Sequence, residues 1–349
     1  MAIIDSLPES DIVSFLAGQI RKDESRFFVI TEGFPDEVFM RKHLSYAYRA
    51  LTAGAPLDIG WESRFEYRPI ARTATELGVK SGHSRSQVLK VSSYPALETR
   101  ENFVCIIDWD LVHFKTGLFK PLGRHAVAID ALEPEAVLAT DLESLFVQTG
   151  TKWFLNTLGF QNIDNLSERL IPMLRDAAFG IGSYHAAREK MNAQFSKMAT
   201  QEWKPSVSWL ITEEVIATTH LESNPERVLL SLAKFDCNLC ESSLRTSLES
   251  DPQWTEARIE KLFATAKDIR DSITNVSDRW RVCRGKDLVA LLEVMLSKPN
   301  RSVVEPNWVM KTLPAEVQWP DISNRPFMQR ITQVLHGFLQ TQSLPSAVA

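Results

Sequence analysis

The chain has 349 residues, of which 44% are hydrophobic and 24% are charged, and its formal net charge is −5. This length suits one large domain or two of ordinary size, with a core that needs no disulfide bonds. The negative net charge excludes a protein that coats nucleic acid through overall charge alone, but it permits an enzyme with a local basic channel.

Cysteine usage and the N-terminal residues favour a cytoplasmic protein. Cys237 and Cys240 form a single CxxC, which lacks the second pair of ligands that a structural zinc site needs, so we expect reduced thiols on a helix. Asp5 and Glu9 interrupt the first apolar residues, and no basic segment precedes them, which argues against a signal peptide. Because no stretch approaches about 18 apolar residues, we expect no membrane span.

Signals for strands and helices alternate through the first 150 residues. A helix with a polar start is predicted within residues 1–25, and the continuous apolar run 27–30 predicts a strand buried on both faces. The run stops at Thr31-Glu32-Gly33, and Pro35 fits the first turn of a helix.

The same pattern recurs further along the chain. Strands are predicted at 65–70, 103–107 and 126–129, and helices at 83–92 and at Glu135–Val147, the latter opened by Pro134. Such alternation predicts an α/β fold with a parallel sheet flanked by helices.

The second half of the chain is predicted to be mainly helical. Helices are predicted from Asn165 and over residues 255–275, 286–298 and 324–341, while residues 205–217 fit a strand as well as a helix. The prediction is an α/β catalytic domain over residues 1–150 and a mainly helical domain over residues 151–349, which can also pack as one unit.

Three carboxylates follow the predicted strands. Glu32 comes directly after the first strand, Asp108 ends the strand at 103–107, and Asp110 follows at i+2, on the same side of an extended chain. Ligands of parallel sheets bind outside the carboxyl ends of strands, so these groups converge if the two strands are neighbours. Clustered carboxylates repel one another, and a hard cation such as Mg²⁺ resolves the conflict. The alternative is that Asp108 only caps a turn or helix.

Four segments resemble a known family. VITEGFPDEVFMRK, which contains Glu32, and CIIDWDL, which contains Asp108 and Asp110, resemble the two acidic motifs of TOPRIM domains. TDLESLF at 140–146 and RGKDLVALLEVML at 284–296 narrow the resemblance to a TOPRIM-like family that includes the AriB-type effector nucleases of PARIS anti-phage systems. The resemblance spans residues 25 to 298, and it departs from the family pattern at Trp109, between the two aspartates.

The resemblance implies an activity and a regulatory partner. It implies metal-dependent cleavage of nucleic acid, with transfer RNA favoured, and restraint by an ABC-type ATPase of the AriA kind. It assigns Glu32 as a metal ligand or general base, and Asp108 and Asp110 as the pair that holds Mg²⁺, with Mn²⁺ as the alternative ion. It also matches Asp36 to a recurrent acidic position, and Asp141 and Glu143 to a later acidic segment; we expect only one of the last two to reach the metal.

Basic residues near these motifs are candidates for phosphate binding. The candidates are Lys115, Lys120 and Arg124 after the aspartate pair, Lys80 and Arg85 before a predicted helix, and Lys286 beside Asp287. For each group the alternative is a solvated loop, a plain turn or, for Asp287, a helix cap.

The sequence therefore predicts a cytoplasmic, metal-dependent endonuclease, most simply an endoribonuclease acting as a toxic defence effector, in which the helical half forms a homodimer. One alternative is a DNA endonuclease or another phosphoryl-transfer enzyme on the same scaffold. Another is a non-catalytic adaptor or sensor that keeps only the fold.

Overall fold

A computed structural model of the chain describes residues 11–52, 61–80, 84–108, 125–129, 141–157, 160–194, 226, 229, 237–252, 254–296 and 317–343. The described residues form two compact units. The first contains those up to residue 108 together with 125–129 and 317–343, and the second contains those from 141 to 296. The sequence-based division had instead placed residues 317–349 with the helical half.

The first unit is built on a sheet of four parallel strands. The strands are β1 (Phe27–Thr31), β2 (Phe65–Pro69), β3 (Phe103–Asp108) and β4 (Ala126–Ile129), in the order β2-β1-β3-β4. Every residue of β1 is buried, as its unbroken apolar run predicted for a central strand covered on both faces. The predicted α/β class with a parallel sheet is confirmed.

Helices account for most of the remaining described residues. In chain order they are α1 (Asp11–Lys22), α2 (Phe34–Leu51), α3 (Ile70–Glu76), α4 (Ser84–Ser92), α5 (Leu142–Thr157), α6 (Ile163–Gln194), α7 (Cys237–Glu249), α8 (Glu256–Ser272), α9 (Gly285–Leu296), α10 (Trp319–Ile322) and α11 (Pro326–Ser343).

Alternate strand residues point to opposite faces of the sheet, and each face has its own helices. Phe28 and Ile30 belong to an apolar core with buried residues of α1, α3 and α4. On the other face Phe27 packs against Phe338 of α11, with ring centroids 5.4 Å apart, and α2 lies against β1 and β2. An aromatic pair of this kind contributes about 0.5–1.5 kcal/mol beyond its area burial.

This arrangement places a topological switch point between β1 and β3. The chain leaves β1 through α2 to reach β2 on one side, and it then returns through α3 and α4 to reach β3 on the other side. Because the two connections cover opposite faces, a crevice opens between them at the carboxyl ends of β1 and β3. Glu32 follows β1 directly, and Asp108 is the last residue of β3.

The second unit is helical in its described part, where α6 packs against α5, α8 and α9. Both ends of the helix predicted at Glu135–Val147 are wrong, since α5 begins later and continues to Thr157. The helix expected from Glu135 begins at Leu142, because Asp141 accepts a hydrogen bond from the amide of Ser144 at 2.7 Å and thereby caps the helix. Asp141 therefore precedes the helix instead of lying within it.

Candidate active site

Glu32 and Asp108 meet at the carboxyl edge of the sheet. Their strands are neighbours, with Ile30 paired in register with Cys105. The amide of Asp108 donates a hydrogen bond to Oε1 of Glu32 at 3.1 Å. The structure thus brings two of the three predicted residues together, through the backbone amide of Asp108 and the side chain of Glu32.

Arg85 holds the Glu32 carboxylate from the side of α4. Its Nε donates to Oε1 of Glu32 at 2.9 Å, and the two side chains are 24% and 18% exposed. Arg85 lies in the first turn of α4, where the positive end of the helix dipole disfavours a cation. The ion pair with Glu32 offsets that cost and places a guanidinium beside the candidate site.

Asp36 adds a third acidic group. Its Oδ2 accepts the amide of Gly33 at 2.8 Å, which closes the first turn of α2. Burial raises the pKa of Asp36 to about 7, the hydrogen bond from Gly33 opposes this rise, and the negative charge of Glu32 adds to it. Negative charge is therefore costly here, and a nearby cation or proton stabilises the group. We call Glu32, Asp36, Arg85 and Asp108 the carboxyl-edge site.

The donors of the carboxyl-edge site fit a magnesium ion in part. Carboxylate oxygens are the ligands that Mg²⁺ prefers, and both contacts of Glu32 use Oε1, so that none of the described residues donates to Oε2. Within the described ranges, however, no three His, Cys, Asp or Glu side chains are grouped as a metal site. Asp110, the third predicted ligand, lies outside those ranges.

The predicted basic contacts have different outcomes. Arg85 touches Glu32, whereas Lys80 is exposed and Lys286 is exposed in the first turn of α9, in the second unit. The remaining candidates lie outside the described residues: Lys115, Lys120 and Arg124.

Asp141 has a structural environment in the second unit. It is only 4% exposed, and its Oδ1 and Oδ2 accept the amides of Ser144 at 2.7 Å and Gly285 at 2.8 Å. A Cβ on Gly285 would overlap with Asp141 Oδ1 and with Cβ of Glu143, and it would lie 2.8 Å from Asp141 Cγ. Two segments of the resemblance, TDLESLF and RGKDLVALLEVML, thus meet at one contact, which we call the Asp141–Gly285 junction.

A second charged cluster, which the sequence did not predict, lies near the carboxyl-edge site. Glu37 of α2 is 2% exposed and forms ion pairs with Arg41 at 2.7 Å and Arg72 at 2.8 Å. The spacing of Glu37 and Arg41 at i and i+4 is a signal that the sequence offered. Arg72 belongs to a basic stretch of the sequence, but no spacing paired it with Glu37, because it lies on α3 beyond β2.

Comparisons with known proteins add no relationship: no family model, curated protein or solved structure matches the chain. None of the helices in the described part combines the length and apolar composition that crossing a bilayer requires.

Proposed function

We propose that the chain is a metal-dependent nuclease of the TOPRIM-like type whose chemistry takes place at the carboxyl-edge site. The observation that carries the proposal is the hydrogen bond from the backbone amide of Asp108 to the Glu32 carboxylate, at the switch point between β1 and β3. Open α/β sheets bind their ligands at this position, and carboxylates concentrated there suit a hard cation and a phosphodiester substrate.

Each residue of the site has a role in the proposal. Glu32, Asp108 and Asp110 would hold Mg²⁺ or Mn²⁺, which when bound polarises a phosphodiester and lowers the pKa of water. Glu32 orients the attacking water, and Asp36 keeps the turn after Glu32 in place through the amide of Gly33. Arg85 screens Glu32 in the structure and is within reach of a substrate phosphate that enters the same crevice.

The biological setting is proposed from the sequence resemblance alone. It comprises transfer RNA as the favoured substrate, a toxic role in anti-phage defence, an ABC-type ATPase partner, a homodimer and a cytoplasmic location. Asp141 fits this proposal better as a structural residue than as a metal ligand, because two backbone amides occupy its two oxygens. Of the two residues in the later acidic segment, this leaves Glu143 as the candidate metal ligand.

The test compares Glu32→Gln and Asp108→Asn with wild type and with Glu98→Gln as a matched control. Glu98 is exposed and precedes β3, so it lies toward the amino edge of the same sheet. Purified proteins are incubated with cellular RNA and DNA in Mg²⁺, and the cleaved ends are sequenced. We expect both site variants to lose cleavage by about 100-fold or more, and EDTA to abolish it in the wild type.

Two outcomes contradict the proposal. Cleavage that survives both substitutions and EDTA places the active site elsewhere. Toxicity and partner binding that persist in folded variants, without cleavage by any form of the protein, support a non-catalytic adaptor or sensor. The ion pair of Glu32 with Arg85 favours this rival, since it neutralises the carboxylate without a metal. If the sequenced cleavage ends are found only on DNA, the protein is a DNA endonuclease on the same scaffold.

A further inference from the structure

Two arginines converge on one buried carboxylate beside the carboxyl-edge site. Arg41 donates to Oε1 of Glu37 from Nε at 2.9 Å and from Nη2 at 2.7 Å. Arg72 donates to the same oxygen from Nη1 at 3.0 Å, and its Nη2 lies 2.8 Å from Oε2. We call Glu37, Arg41 and Arg72 the guanidinium clamp.

The charge of the clamp exceeds what the fold requires. A buried carboxylate needs one cation for neutrality, and Arg41 supplies it through an i to i+4 pair on α2. Arg72 comes from a different helix and leaves the three residues with two positive charges against one negative. Their guanidinium-bearing side chains remain 54% and 41% exposed while Glu37 is 2% exposed, so the surplus positive charge faces solvent.

Aromatic rings fix the directions of both guanidiniums. Arg41 lies over the ring of Tyr67 at 4.3 Å, and Arg72 lies over the ring of Phe34 at 5.6 Å. Each guanidinium has five N–H donors; hydrogen bonds to Glu37 use two of them in Arg41 and one in Arg72, whose Nη2 also lies within ion-pair distance of Oε2. The remaining donors are therefore held in place before a ligand arrives, which reduces the entropy lost on binding.

Phe34 joins the clamp to the carboxyl-edge site. It follows Glu32-Gly33 directly, and at 59% exposure it is the most exposed large hydrophobic side chain in the described ranges. A solvent-exposed ring beside two guanidiniums matches the way proteins hold single strands, in which bases stack on aromatic rings and cations follow the phosphates.

We propose that Arg41 and Arg72 bind a backbone phosphate of single-stranded nucleic acid while Phe34 stacks on a neighbouring base. The identity of this strand as the substrate rests on the proposed nuclease function. Guanidiniums bind phosphate through paired N–H donors, so the clamp positions a strand whose next phosphodiester can reach Glu32 and Asp108.

The test measures binding of a fluorescein-labelled 12-nucleotide RNA to the full chain by anisotropy, in EDTA so that no cleavage occurs. We expect Arg72→Ala to weaken binding and to lower the magnitude of the log–log salt slope by about 0.7. We expect Phe34→Ala to weaken binding roughly 5- to 150-fold and Phe34→Trp to restore it.

Control variants separate the clamp from general charge and from misfolding. Arg49→Ala removes an exposed arginine near the end of the same helix α2 and should leave the affinity and salt slope unchanged. Arg72→Ala could also act by leaving Glu37 less well paired. The double variant Glu37→Gln with Arg72→Ala removes both charges, and its thermal midpoint and affinity show whether weak binding persists in a stable fold.

The outcomes separate the clamp from the nuclease proposal. Unchanged affinity in folded Arg72→Ala and Phe34→Ala variants overturns the clamp. Inorganic phosphate or AMP competing as well as the RNA also overturns it, since the site would then hold a small anion. Clamp-dependent binding by a chain that cleaves nothing supports the clamp and refutes the nuclease. Cleavage that needs Glu32 but not the clamp supports the nuclease and refutes the clamp.

Discussion

The carboxyl-edge site and the Asp141–Gly285 junction both pair a carboxylate with a backbone amide and a nearby glycine, but they differ in what remains for a ligand. Asp141 is 4% exposed and accepts an amide on each oxygen. Glu32 is 18% exposed, and the contacts that the described residues make with its carboxylate fall on Oε1. A carboxylate satisfied by rigid backbone on both sides stabilises a fold, whereas one held from a single side can also bind a ligand.

The glycine beside each carboxylate, Gly285 at the junction and Gly33 after Glu32, also differs in how strictly the packing requires it. A Cβ on Gly285 would overlap with Asp141 and Glu143, so the fold itself requires glycine there. A Cβ on Gly33 would meet only Pro35 Cδ at 3.5 Å and Asp36 Oδ2 at 3.8 Å, which are ordinary contacts, and its φ of −139° suits any residue. Within the described residues, nothing in the packing requires glycine at position 33.

The largest expected effect comes from Gly285→Ala. The new methyl group must displace the carboxylate that joins α5 to α9, so we expect a loss of about 3–5 kcal/mol in the free energy of unfolding. Urea denaturation measures this loss. Gly18→Ala in α1 is the matched control, because a Cβ there meets nothing within 4 Å and should raise stability by about 0.5–1 kcal/mol. Equal effects in both variants would contradict the structural role of the junction.

Acid titration compares the two units through their buried histidines. Burial, followed by the charge of Lys42, lowers the pKa of His43 in the first unit to about 3. Burial and the charge of Arg284 lower the pKa of His185 in the second unit well below its usual value. Both rings are neutral in the folded protein at neutral pH, and both take up a proton on unfolding once the pH falls below about 6.5.

His43→Leu should therefore remove part of the acid sensitivity. The unfolded state binds one more proton than the folded state between pH 6.5 and about 3, so stability falls as the pH falls through this window. The loss of folding free energy that is due to His43 reaches about 4 kcal/mol near the lower end of this pH window. Urea denaturation at pH 7, 6, 5 and 4 should show a slope shallower by about 1.4 kcal/mol per pH unit in the variant. An unchanged slope would show that His43 is not the group responsible.

Asp141→Ala tests the junction from its other side. The substitution removes the cap of α5 and leaves the amide of Gly285 buried without its acceptor, so we expect a loss of about 2–3 kcal/mol in stability. Cleavage per folded molecule should remain within about twofold of the wild type. Glu32→Gln should instead lose cleavage and keep most of its stability. Loss of cleavage in folded Asp141→Ala, or of Mg²⁺ affinity by calorimetry, would instead make Asp141 a metal ligand.

The sequence allowed the edge of the sheet to be predicted because the information there is local. Unbroken apolar runs identified β1 and β3, and the rule that parallel strands share a carboxyl edge placed Glu32 near Asp108. The ion pair of Arg85 with Glu32 and the hydrogen bond of Gly285 to Asp141 join residues 53 and 144 positions apart. Such contacts depend on how elements cross in space, which periodicity does not encode.

The misplaced start of α5 has a local cause. Pro134 and Glu135 carry the composition of a first helical turn, and this signal competed with Asp141 and Ser144, whose spacing is that of a cap and its amide donor. In the structure α5 begins directly after Asp141, which also accepts the amide of Gly285. Sequence alone cannot rank two plausible caps when a distant residue decides between them.

Gly33→Ala is the smallest change in stability and the sharpest test of the contrast between the glycines. Loss of the flexible residue from the unfolded chain stabilises the fold, and alanine is a poorer N-cap for α2, so the net change should stay within about 0.5 kcal/mol. If glycine is there because a phosphodiester approaches the backbone beside Glu32, cleavage should fall about tenfold or more. Gly78→Ala cannot serve as its control, since φ there is +67°; Gly18→Ala, with open space around it, can. A folded Gly33→Ala variant that cleaves as fast as Gly18→Ala would show that no substrate approaches this turn, and the carboxyl-edge site would lose its closest link to catalysis.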